Sequence, residues 1–451
     1  MNTRKSSHTA PSRHAPAGYA TRREHEIRHV LKDFRTELDE WSEAVLHDGP
    51  LLKHRSQVTG AVGVLRAALD RLERMPGPDR SQRAGEIMLD LHHLWDFFRG
   101  KLLIRHQPRY KSLLDVSDEL AWSLYDPVLR AAGSKAGQFP KEPPLTFLSR
   151  RPIPFATARG ADFEPLLSYG RQRTFHGRSA AQHLPFPLIG IPWSCGGHLP
   201  ALLAVAHETG HHIEDDFGLA PTLKSRLAER GGLTPQRSAH WERWLGETFA
   251  DICATTACGA AYLWTLTDAL GAAVPDGESG SGDYPPARLR ALVCRAAMPP
   301  GTTSVLPPLP GEPDASDDEA EAVVVALTGE GMAELGGRTP RELFGLRRPE
   351  ALTVSVDRLL KTLPSGRGDV PGILAAATLA FMAEPETYTE RGVGERALDE
   401  VLALVAYAPR VGTDRDLRAH RDTASGNALF DALSEGGSRG WRGEWTHAVP
   451  K

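Results

Sequence analysis

The 451-residue sequence predicts a mainly α fold with a small β-sheet (α+β). Three observations predict it. Apolar residues recur every three or four positions over most of the chain, which is the period of a helix with one buried face. Two short segments rich in aromatic and β-branched residues interrupt that pattern, and both are punctuated by proline. The run Leu199 to Phe217 combines a helical apolar stripe with His207-Glu208-Thr209-Gly210-His211, an H-E-x-x-H motif.

Taken in order, residues 1–21 read as a solvated, disordered basic tail carrying Arg4, Lys5 and Arg13. Residues 22–132 form a helical bundle. Its first stripe is Ile27, Val30, Leu31, Phe34, Leu38, Trp41 and Val45, and its second is Val58, Val62, Leu65, Leu69 and Leu72. The third is Ile87, Met88, Leu91, Leu94, Trp95 and Phe98, and the fourth includes Leu113, Leu120, Leu124 and Val128. Residues 133–146, with two glycines and three prolines, read as a linker. Residues 147–298 form a metal-binding core. Leu145 to Thr157 and Pro185 to Trp193 supply strands, and their prolines favour sheet edges because proline cannot donate to a ladder. The metal helix follows, with Pro200 in its first turn and Gly218 at its stop. A second helix runs from about Ala239 to Leu270. Residues 299–451 are a C-terminal helical region containing Leu352–Leu363, Ile373–Met382 and Arg396–Tyr407, with an irregular tail after about Val411.

Composition narrows the function. Lys and Arg number 53 against 57 Asp and Glu, a net charge of −4, which supplies no basic field for nucleic acid. No apolar run reaches 18 residues, so neither a membrane span nor a membrane partner is expected. Four cysteines (Cys195, Cys253, Cys258 and Cys294) are too few for a disulfide scaffold and suit a reducing, cytoplasmic setting.

The motif carries the chemistry. Residues four apart on a helix share a face, so the His207 and His211 imidazoles converge on one cation. Glu208, one step round, reaches a water on that cation and serves as general base. Hydrolytic zinc sites use three protein ligands and leave a fourth position open. The third ligand has several candidates. Asp215 and Asp216 follow His211 too closely to fold back easily, and Glu242 is a further option. The pattern H-E-x-x-H-x-x-G-x-x-H is excluded, because Glu214 and Phe217 stand where it needs Gly and His.

In Gly246-Glu247-Thr248-Phe249-Ala250-Asp251 the chain resembles the thermolysin-like zinc metallopeptidases, the gluzincins, whose second active-site helix carries E-x-x-x-D. The resemblance covers about 55 residues and implies a zincin-like core holding one Zn²⁺. Carried over, Glu247 is the third ligand and Asp251 accepts a hydrogen bond from His207, fixing its tautomer. The implied activity is cytoplasmic hydrolysis of a peptide or protein substrate. A non-peptidase zinc amide hydrolase and a non-catalytic zincin scaffold used for binding or regulation are the alternatives. Such enzymes stabilise the oxyanion with a Tyr or His, for which Tyr284, His240, Tyr262 and Tyr388 are candidates.

Four weaker expectations complete the reading. Pro187 to Pro192 could be an edge strand that pairs with an extended peptide, or an ordinary core strand. Arg288 or Arg290 could face the cleft, or form a structural ion pair. Cys195 is expected to be a buried thiol rather than a metal ligand. His212, beside His211, is expected to pack rather than ligate.

Overall fold

The computed structural model describes residues 18–133 apart from 47, 48 and 50, together with 141–158, 186–272, 284–313, 317–406 and 415–435. The chain is mainly helical with one small sheet. The expected basic tail lies largely outside the described residues, and the first helix, α1 (Tyr19–Ala44), begins just before the expected bundle. It is followed by α2 (Arg55–Arg74), α3 (Gly77–Leu103) and α4 (Pro108–Ala132). The last two open on a first-turn proline, where the missing N–H would have no helical acceptor. The stripes read from the sequence are buried, from Ile27, Leu31, Phe34 and Leu38 to Leu113, Leu120, Leu124 and Val128. Val30, at 37% exposure, and Trp41, partly buried, are the exceptions.

Three strands form one sheet in the order β1 (Leu145–Ser149), β3 (Leu188–Pro192), β2 (Phe155–Thr157). β3 runs parallel to β1, with Phe147 opposite Gly190, and antiparallel to β2, with Ala156 opposite Ile189. Both faces of β1 and β3 are buried. Leu148, Ile189 and Ile191 face one apolar core, while Leu145, Phe147 and Leu188 face the other. Of the two readings offered for Pro187 to Pro192, the core strand holds against the edge strand: β3 is central, with a partner on each side. Its prolines stand before its first residue and at its last, where a lost donor matters least.

The helix carrying His207 and His211 starts as a 3₁₀ turn, Leu199–Leu203, and continues as α5 (Ala204–Phe217), stopping at Gly218 in the left-handed conformation (φ 66°). Next come α6 (Ala220–Arg230), α7 (Pro235–Arg243), α8 (Leu245–Cys258), α9 (Ala260–Ala272) and α10 (Ala287–Ala296). The single helix expected over 239–270 is thus three, broken at Trp244 and at Gly259, whose φ of 60° ends α8. The remaining helices are α11 (Glu319–Thr328), α12 (Pro340–Phe344), α13 (Leu352–Leu360), α14 (Val370–Ala383), α15 (Pro385–Glu390), α16 (Val393–Val405) and α17 (Arg415–Glu435). α14 is buried almost all round and packs on α8, α9, α13 and α16.

α17 replaces the irregular tail expected after Val411. It lies along α2, where Gly426 and Gly63 let the two helices close: a Cβ on Gly426 would stand 2.4 Å from the Val64 carbonyl oxygen. The two cores do not divide at residues 133–146. α4 packs in the larger core with α5 and α16, whereas Leu429, Phe430 and Leu433 of α17 join α1, α2 and α3 in the smaller one.

A buried polar network ties the bundle to the sheet. Arg105, fully buried, donates from Nε to His54 Nε2 at 2.9 Å and from Nη2 to Asp118 Oδ2 at 2.7 Å. Asp118 Oδ1 in turn accepts from the Thr146 N–H of β1 at 2.9 Å.

Candidate metal centre

The site is built where two helices meet at their smallest residues. Gly210 of α5 faces Ala250 of α8, and a Cβ on Gly210 would lie 2.7 Å from the Ala250 Cα. Glycine alone permits that approach. It brings Glu247, in the first turn of α8, against the histidines of α5, and a helix N-terminus favours a carboxylate there.

His207 Nε2 and His211 Nε2 stand 3.2 Å apart. Glu247 Oε2 is 3.4 Å from the first, and Oε1 is 3.4 Å from the second. An ion held tetrahedrally about 2.0–2.1 Å from each donor spaces the donors by about 3.3–3.4 Å. The two imidazole nitrogens stand close to that spacing, and the Glu247 carboxylate straddles them with one oxygen 3.4 Å from each. Two imidazoles and one carboxylate also form a donor set suited to zinc, so the residues present fit the ion. Among the described residues one other histidine–carboxylate group, His54 with Asp115 and Asp118, has comparable spacing. There the Arg105 guanidinium already supplies the cation, and Lys111 holds Asp115.

Behind His207 lies a second layer. Its Nδ1 donates to Asp251 Oδ1 at 2.9 Å, which leaves the Nε2 lone pair facing the ion position. The Tyr262 hydroxyl donates to the same Oδ1 at 2.6 Å and lies 3.0 Å from His207 Nδ1. Arg290 of α10 grips Asp251 with both arms, Nε to Oδ2 at 2.7 Å and Nη2 to Oδ1 at 2.8 Å. The same Nη2 reaches Glu247 Oε2 at 3.3 Å.

Glu208 is treated differently. It is 7% exposed and makes no hydrogen bond or ion pair with another described residue. Burial pushes its carboxyl up, against the pull of His207 and His211. For Glu247, burial is outweighed by hydrogen bonds to His207 and His211, which hold it well below the usual carboxylate range. For Asp251, burial is outweighed by the charge and hydrogen bonds of Arg290, with the same result. Burial would lower His207, but its bonds to Asp251 and Glu247 push it up to about 9. Environment therefore separates one carboxyl held up by burial from two neighbours held down by their partners.

The other candidates are not brought to the cluster. Asp216 accepts from the Tyr125 hydroxyl at 2.5 Å, and Asp215 and Glu242 are exposed. His212 Nε2 faces the Leu188 carbonyl at 3.0 Å, the packing role expected of it. Tyr284 is 62% exposed, His240 stacks on Trp244, and neither hydrogen-bonds a member of the cluster. Tyr388 is buried against Phe381. Tyr262 does touch the cluster, but at Nδ1, behind His207, so it is not placed over a reacting carbonyl. Arg288 pairs with Asp317. Cys195, partly buried, stays outside the donor set. Of the two readings offered for Arg290, the structural ion pair is the one present, and its partner is Asp251; that Asp251 is the partner of both Arg290 and Tyr262 carries no signal in the sequence. A cavity of about 1030 Å³ runs elsewhere, along α2 and α17, and no cluster residue lines it.

No protein-family model, no curated protein and no solved structure matches the chain.

The electrostatics predict opposite pH trends with and without metal. A protonated His207, raised to about 9, stabilises the metal-free fold fully below about pH 6.5, its ordinary value, and that contribution is lost as pH rises through 9. Metal needs the unprotonated nitrogen, so zinc stabilisation should grow over the same interval. Thermal melts with chelator and with zinc, between pH 6 and 9.5, check this. A zinc-induced shift independent of pH would contradict the ion pairing assigned to His207.

Proposed function

We propose that the chain is a zinc-dependent metallopeptidase of the zincin type, hydrolysing a peptide bond in a reducing, cytoplasmic compartment. One observation carries the reading: a buried carboxylate without a hydrogen bond or ion pair among the described residues, Glu208, sits beside two imidazole nitrogens 3.2 Å apart that the Glu247 carboxylate straddles. Zinc at that position acidifies a water and polarises a carbonyl.

Glu208 takes the proton of the attacking water, a role suited to a carboxyl raised by burial, and later passes it to the leaving nitrogen. Asp251 and Arg290 hold His207 in the tautomer that presents Nε2. An extended substrate has one sheet edge to pair with. Thr146 of β1 already spends its outward N–H and C=O on Asp118 and Arg105, whereas β2 has no strand on its outer side among the described residues. The four cysteines are free thiols, which suits the compartment.

Purified protein is expected to hold about one zinc and to cleave members of a peptide library, with activity removed by chelator and restored by zinc. Cleavage of small amides alone would assign a non-peptidase amide hydrolase. Bound zinc without turnover of either would assign a binding or regulatory scaffold. Protein that retains no divalent metal would overturn all three.

A further inference from the structure

Asp251 Oδ1 accepts from three donors at once: His207 Nδ1 at 2.9 Å, Arg290 Nη2 at 2.8 Å and the Tyr262 hydroxyl at 2.6 Å. The side chain is fully buried, so water contributes nothing to this competition. Arg290 alone fixes both carboxylate oxygens and is sufficient to orient Asp251. The hydroxyl of Tyr262 is therefore surplus to orientation. Its ring lies within 15° of parallel to that of His207, with centroids 6.2 Å apart, and its oxygen is 3.0 Å from Nδ1.

We propose that Tyr262 is a positioning residue that limits how strongly Asp251 polarises His207, and so limits how much electron density His207 gives to a metal. The inference rests on the zinc-site reading. A carboxylate that shares its lone pairs among several donors pulls less on each, and the basicity of a ligating imidazole follows the pull on its other nitrogen. Tyr262 has one hydroxyl proton, and spending it on Asp251 also keeps it off Nδ1. The tautomer with the lone pair on Nε2 is thereby favoured. With Tyr262 in place the histidine is a weaker donor, and an ion held by it stays a stronger Lewis acid.

The test is a pair of changes of opposite sign, read by zinc competition against a chromophoric chelator and by the visible spectrum of the Co²⁺ form. Tyr262→Phe keeps the ring, and should bind zinc about 2–10-fold more tightly, with a shifted Co²⁺ band. A fluorinated tyrosine incorporated at Tyr262, a stronger donor, should bind zinc more weakly and shift the band the other way. Circular dichroism establishes that each variant is folded. Unchanged affinity in both, or weaker binding in Tyr262→Phe, would overturn the proposal. Wild-type protein that binds neither Zn²⁺ nor Co²⁺ would instead overturn the metal-site reading beneath it.

Discussion

Glu208→Gln is expected to keep a full equivalent of zinc while kcat/KM on a cleaved peptide falls by about 10²–10⁴-fold. The two halves of that expectation come from one geometric fact. Glu208 lies next to His207 on α5 but contributes no atom to the donor triangle, so the amide leaves the ligands in place. It replaces a carboxylate that makes no hydrogen bond or ion pair with another described residue, and an amide cannot take a proton from water. Glutamine is also isosteric, so packing of the buried side chain is preserved. Metal analysis and steady-state kinetics on the same sample decide the matter. Loss of zinc would make Glu208 a ligand, and undiminished hydrolysis would remove it from the reaction.

Arg290→Met should destabilise the metal-free protein by about 3–5 kcal/mol. Asp251 is fully buried, and Arg290 supplies two of its hydrogen bonds together with, among the described residues, the one guanidinium or ammonium charge in contact with it. Methionine fills a similar volume and leaves the Asp251 and Glu247 carboxylates to share the positive charge of His207. A divalent ion at the donor triangle restores part of the balance, so zinc should raise the melting temperature of the variant more than that of the wild type. Melts in chelator and in zinc measure both quantities. A variant that melts with the wild type in chelator would show that Asp251 does not depend on this guanidinium.

Local features of this chain were legible where the signal is local. Dense Leu, Ile and Val stripes marked α1, α2 and α3, and the spacing of His207 and His211 marked the face that both imidazoles share, because both follow from the helical period. Illegible features depend on pairing between distant segments. β3 reads as an edge strand from its prolines, yet β1 and β2 flank it, and strand order leaves no mark on periodicity. α17 was read as irregular because it docks through Gly426 and a few apolar residues near its end. Tyr262 and Arg290 reach Asp251 from two further helices, α9 and α10, and only the packing of α8 against both decides which side chains converge.

The docking of α17 on α2 also bears on synthesis. The Val64 and Ala67 surface is covered by residue 426, about 360 positions later in the chain. At roughly 5–20 residues per second, that surface emerges from the ribosome about 20–70 s before its cover exists. Throughout that interval the leading helices lack the apolar side chains of Leu429, Phe430 and Leu433 that complete their core. A truncation near the carboxyl end would make the same exposure permanent at the opposite end of the sequence.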